Sequence, residues 1–157
     1  MEAFPYREPL APVDVGDYES GAKRLLDEIT AACESAANFP QRVEAALRAT
    51  LELFAAEPEL GLLLTISPSA EGELAVRRYE RWQERFSDLL RGAAERSPSA
   101  SVHPPFVEPI LIAGIRWQIA SRLITDGAED LENLLPDLME FLLACYFGPY
   151  DIAPALN

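Results

Sequence analysis

The residues with the clearest chemical potential are few and scattered. His103 is the only histidine and stands in the proline-bounded stretch SPSASVHPP with Ser99 and Ser101 close by. Nucleophilic catalysis of the Ser/His/acid kind needs a histidine positioned as base and a third group to orient it; a lone histidine in such a loop is expected to be a loop residue. Zinc and other metal sites need several His, Cys or carboxylates at ligand spacing. One histidine and two isolated cysteines, Cys33 and Cys145, do not supply that. The cysteines fall within apolar helical patterns, so buried free thiols are expected. Inward-facing glutamates of the di-metal carboxylate kind are not expected either, and there is no Gly-rich phosphate loop. No enzyme, no metal and no cofactor are therefore expected.

A cavity is the remaining chemistry. Phe54, Tyr79, Trp82, Phe86 and Trp117 are large aromatics on the expected inner faces of three helices, with Thr50 as a polar neighbour. Ligand pockets are mostly apolar with a few convergent polar groups, and the tips of Tyr and Trp must find a partner when buried. These six residues are the candidate ligand-binding set.

The elements that must position them are helical. Three prolines break residues 1–16, which are expected to form an extended or disordered arm; residues 17–149 form one domain, and 150–157 a tail. From Asp17, apolar residues recur at three and four: Leu25, Leu26, Ile29, Ala32, Cys33, Ala36. Pro40 marks a new helix start, burying Val43, Ala46, Leu47, Thr50, Leu51 and Phe54, and Pro58 ends it. A short helix over ELGLLLTIS follows. The next helix, from about Ala70 to Arg96, holds five of the thirteen basic residues ahead of Arg96: Arg77, Arg78, Arg81, Arg85 and Arg91. Acidic neighbours at i,i+3 (Arg77 with Glu80, Arg81 with Glu84, Arg85 with Asp88) predict a solvated ion-pair face.

The last third is the greasiest. FVEPILIAGIRWQIASRLI and LENLLPDLMEFLLACYFG, joined by TDGAED, read as two apolar helices. The first carries two apolar faces: Ile110, Ala113, Gly114, Trp117 and Ile124 on one, Ile112, Ile115, Ile119 and Leu123 on the other. Pro109 is expected in a first turn or at a bend, and Pro136 suggests a late start or a preceding short turn. Gly114 implies a close approach by a helix or a ligand. One core cannot cover all of this, so a second copy is expected to cover part of it. The residues expected at that contact are Ile115, Ile119, Leu123, Leu135, Leu138, Met139, Leu142 and Tyr146.

The formal net charge of -13, with no Lys or Arg after Arg122, argues against a phosphate-binding surface. The longest apolar run, Ile110 to Ile115, is far below the roughly 20 residues that span a bilayer, and the N-terminus lacks a signal-peptide pattern. A cytoplasmic protein without nucleic-acid or membrane partners is expected.

From about Tyr18 to Pro149 the succession NFPQRVEAALRATLELFAAEPELGLLL, an arginine-rich helix after a Ser/Pro turn, a Pro-rich loop and FVEPILIAGIRWQIASRLITDGAEDLENLLPDLMEFLLACYFGP resembles the C-terminal, regulatory half of the TetR family of transcriptional regulators. The resemblance implies an all-α bundle of about six helices. It implies a homodimer in which the last two helices of each copy form a four-helix bundle, and a central pocket for a small, often hydrophobic inducer. In that family a helix-turn-helix DNA-reading domain precedes this half. Before Tyr18 there is only a short acidic arm here, so sensing and dimerisation, rather than DNA reading, are expected of this chain. The alternative is a non-sensing helical module, with a filled core, that pairs with itself or with a full-length relative.

Overall fold

The computed structural model describes residues 15–147 apart from 67, 69, 70, 99 and 102. Ser99, the arm before residue 15 and the tail at 150–157 lie outside the described residues. Those that are described form six α-helices and no strand. The helices are α1 (Val15–Cys33), α2 (Phe39–Ala56), α3 (Pro58–Thr65), α4 (Glu73–Glu95), α5 (Val107–Thr125) and α6 (Leu135–Leu143), with one 3-10 turn (Leu131–Leu134) ahead of α6.

The punctuation follows side-chain chemistry. Asn38 caps α2, its Oδ1 accepting from the Gln41 amide at 2.9 Å, while Gln41 Oε1 accepts from the Ala37 amide at 3.0 Å. The first bond satisfies an amide donor that the opening helical turn leaves without a partner, and the second ties the residue before the cap to that turn. Pro58 then separates α2 from α3, and Pro109 sits in the first turn of α5, where its missing N–H costs nothing. Gly127, at φ 75°, reverses the chain after α5 in the left-handed region that glycine adopts without strain.

Helices α1 and α2 run antiparallel: the Cys33 thiol lies 3.4 Å from the Arg42 carbonyl at the turn, and Arg24 reaches Glu57 at the far end. Helices α4 and α5 are likewise antiparallel, because Gln83 meets Arg116 while Arg91 meets Glu108. The two hairpins share one core, with α6 and the 3-10 turn packed on α2 and α3 packed on α5. Gly61 is where α3 comes closest, since an added Cβ would lie 2.9 Å from Leu123 Cδ1 and 3.0 Å from Phe54 Cβ. Phe54 is fully buried and its Cβ cannot move far. Gly61→Ala is therefore expected to destabilise the fold by about 1–3 kcal/mol, read from urea unfolding, despite alanine's better helix propensity.

The outward charges of α4 pair in a different register from the expected one. Arg77 pairs with Glu73, Arg91 with Asp88 and Glu108, Arg78 with Glu19 of α1, and Arg85 lies over the Trp82 ring at 4.7 Å. The i,i+4 pair at Arg77 and the ring contact at Arg85 displaced the i,i+3 pairs expected there, and among the described residues Arg81 forms no ion pair with Glu84.

The residues expected to meet a second copy are covered by the chain itself. Ile115, Ile119, Leu123, Leu138, Met139, Leu142 and Tyr146 are buried, and Leu135 is half-buried. The cause is the docking of the 3-10 turn and α6 onto α2, which takes up their apolar arc. The other face of α5 stays open: Phe106, Ile110, Trp117 and Ile124 are exposed, Trp117 at 71%, with Phe141 of α6 beside them. Gly114 lies within this region and lets Phe141 approach; an added Cβ would stand 2.8 Å from its Cζ.

Candidate functional site

A cavity of about 510 Å3 lies between α1, α2, α4 and α5. On α1 the wall is the stripe Tyr18, Ala22, Leu25, Ile29 and Cys33, at helical spacing. Helix α2 contributes Val43, Leu47, Thr50 and Phe54, α4 contributes Phe86, Leu90 and Ala93, and α5 contributes Ile112, Ile115, Arg116 and Ile119. Small side chains at Ala22, Ala46 and Ala93 are part of this lining, and they leave open space that longer residues would fill. At the mouth stand exposed Thr30, Glu34, Leu89 and Arg96 with half-buried Arg42.

The wall's threonine hydroxyls are already engaged. Thr30, Thr50 and Thr65 donate to the carbonyls of Leu26, Ala46 and Gly61, each four residues back, at 2.8, 2.8 and 2.7 Å. Such back-bonding satisfies the hydroxyl within its own helix. The buried polar groups left facing the cavity are Tyr18 and Arg116.

Three of the six residues expected around a ligand, Thr50, Phe54 and Phe86, do line this cavity. Tyr79, Trp82 and Trp117 do not. Trp82 is buried, but its indole N–H donates to Glu19 Oε2 at 2.8 Å, and Glu19 also pairs with Arg78, so the ring ties α4 to α1. Tyr79 lies under Arg116, whose Cζ is 4.0 Å from the ring centroid, and tilts against Tyr18 at 6.4 Å. Trp117 points outward.

Sequence reasoning overlooked two buried charges. Arg116 is 8% exposed; its Nη1 donates to Gln83 Oε1 at 2.9 Å and its Nη2 to the Tyr18 hydroxyl at 3.4 Å. No carboxylate among the described residues comes within ion-pair distance of it. Glu108, 2% exposed, contradicts the expectation that no glutamate faces inward. It accepts from the Tyr146 hydroxyl at 3.1 Å and lies 3.4 Å from Arg91 Nε, outside the cavity. Both were legible as positions: Arg116 is four residues from Ile112 and three from Ile119, and Glu108 is three from Leu111 and seven from Ile115.

His103 is structural here. Its ring packs on Tyr146 at 5.1 Å and its Nε2 meets the Cys145 carbonyl, a pairing that places the proton on Nε2. Cys33 and Cys145 are free and half-buried; burial pushes the Cys33 thiol up, against the opposing charge of Arg42. Among the described residues no group of three or more His, Cys, Asp or Glu comes together to hold a metal, and no helix is long and apolar enough to cross a membrane.

Burial pushes the Tyr18 phenol up to about 12 from 10.0, with the Arg116 charge opposing the rise. Tyr146 is raised in the same direction, chiefly by burial and then by the charge of Glu108. In the unfolded chain Tyr18 ionises near 10.0, whereas in the folded chain it stays neutral to about 12. Its contribution to stability is therefore complete below pH 10 and is lost as pH rises through 12. Melting followed by circular dichroism should fall across that window, and less steeply in Tyr18→Phe.

No family model, curated protein or solved structure matches this chain. The site therefore has to be interpreted from its own geometry. That geometry is an apolar chamber with one buried cation on its wall, on a helix whose opposite face is uncovered and uncharged.

Proposed function

We propose that the chain is a ligand-sensing and self-pairing regulatory domain, of the kind expected in the C-terminal half of a TetR-like regulator, with no catalytic role. The observation that carries this reading is the cavity. Its volume of about 510 Å3 falls in the roughly 300–1,000 Å3 range of small-molecule sites, where a filled core would leave nothing comparable. It favours sensing over the alternative of a non-sensing module.

Self-pairing is supported by the open face of α5. Ile110, Trp117 and Ile124 recur every seven residues, with Ala113 and Ser121 between them, Phe106 one turn ahead and no charge in the stripe. Two chains of formal charge -13 repel one another, so a symmetric contact must use a face that carries none. The outer side of α6 carries exposed Asp137 and Glu140, which favours a pairing centred on α5 with Phe141 as the contribution of α6. The same helix thus lines the cavity with Ile112, Ile115, Arg116 and Ile119 and meets the partner with Trp117. A ligand that shifts α5 would bias the pairing, and by linkage pairing would bias ligand affinity by the same factor.

Titration with a neutral, apolar fluorescent dye such as Nile red tests the cavity. Saturable binding accompanied by a rise in melting temperature is expected, and Ala46→Trp, which fills the chamber, should abolish both. Equal dye binding by the filled variant would assign the dye to the outer face and remove support for sensing.

A further inference from the structure

Arg116 gives the chamber a charge preference. A buried arginine ordinarily pairs with a carboxylate, because an uncompensated charge out of water is costly. Here the guanidinium has two neutral acceptors, Gln83 Oε1 and the Tyr18 hydroxyl, and the face of Tyr79. These cannot use all five of its N–H donors. The threonine hydroxyls nearby are engaged within their own helices, and most of the remaining wall is aliphatic or aromatic. Tyr18, which accepts from Arg116, keeps its own proton to donate. We propose that the chamber binds an amphipathic monocarboxylate, its headgroup on the Arg116 guanidinium and the Tyr18 hydroxyl and its apolar body against Leu25, Ile29, Leu47 and Ile115.

Charge and shape both point to that class. One buried cation balances one negative charge, whereas a phosphate dianion would leave an excess charge in the same apolar wall. A planar carboxylate also matches the two-pronged donor geometry of a guanidinium. A cationic ligand would be repelled by Arg116, and among the described residues the only carboxylate lining the chamber is Glu34, exposed at the mouth. Arg42 and Arg96 stand at the same mouth with no ion pair to a described carboxylate, and they give an anion a local attraction on a strongly acidic chain.

This assignment rests on the sensing role proposed above, and the test separates the two. The full chain is titrated calorimetrically with decanoate, decanol and decylamine, which share one tail and differ in headgroup. Decanoate is expected to bind at least about tenfold tighter than decanol, with decylamine weakest. In Arg116→Gln that preference should vanish while decanol binding persists. Arg116→Lys, which keeps the charge but loses the fork, should retain a reduced preference and also serves if the glutamine variant does not fold. Equal binding of decanoate and decanol by the unaltered chain, or an equal loss of both in Arg116→Gln, would overturn the headgroup assignment and leave the chamber intact as a site. Nile red binding without decanoate binding would do the same. Failure of the dye and all three amphiphiles to bind would reject the chamber itself.

Discussion

Leu138→Asp is expected to abolish cooperative folding. Leu138 is 0% exposed and belongs to the continuous core with Leu131, Leu142 and Leu143. Truncating a buried leucine alone costs about 2–5 kcal/mol, and a carboxylate in its place adds an unpaired charge in an apolar site. The combined loss is comparable with the roughly 5–15 kcal/mol that holds a domain of this size. Circular dichroism should show no cooperative melting transition. A well-folded Leu138→Asp chain that merely became monomeric would mean that α6 faces a partner and not its own core.

Trp117→Asp should do the opposite. The side chain is 71% exposed at the middle of the α5 stripe, so its replacement removes no intramolecular core contact. It does place two like charges near the two-fold axis of the proposed pair and removes a large aromatic of the kind that dominates interface energies. A central tryptophan is worth about 2–4 kcal/mol, so the dimer dissociation constant should rise by about thirtyfold or more. Sedimentation velocity should show a shift from dimer to monomer with helical content retained. Identical sedimentation of variant and parent would remove α5 from the interface, and a monomeric parent at tens of micromolar would remove the interface altogether.

The contrast between these substitutions shows what could be read from the residues alone. Helix number and most boundaries were legible because proline and asparagine punctuate a strong 3.6-residue pattern: Asn38 and Pro40 start α2, Pro58 starts α3, and Pro136 follows the short turn at Leu131–Leu134. The surplus of apolar residues on α5 and α6 was legible as well. Its direction was not, because a helical wheel shows two apolar faces on α5 without saying which one α2, α3 and α6 will cover. The direction in which the aromatics point was not legible for a related reason. Trp82 and Tyr79 have polar or π surfaces that found partners on neighbouring helices, Glu19 and Arg116, and so became ties between helices instead of chamber wall. Thr50, whose hydroxyl bonds within its own helix, and Phe54 and Phe86, which carry no polar tip, remain on the wall. The position of Arg116 on an apolar face was legible but its burial was not, because a charge on an apolar helix reads as a surface residue until α1 and α4 close around it.

The most direct test uses isoleucine methyl groups as position markers. Ile29, Ile112, Ile115 and Ile119 line the chamber, whereas Ile110 and Ile124 are on the open face of α5. With selectively methyl-labelled protein and saturating decanoate, intermolecular NOEs should run from the ligand chain to the first four methyls and be absent from the other two. NOEs confined to Ile110 and Ile124 would show that the apolar ligand merely coats the outer face, and would contradict the chamber as the site of sensing.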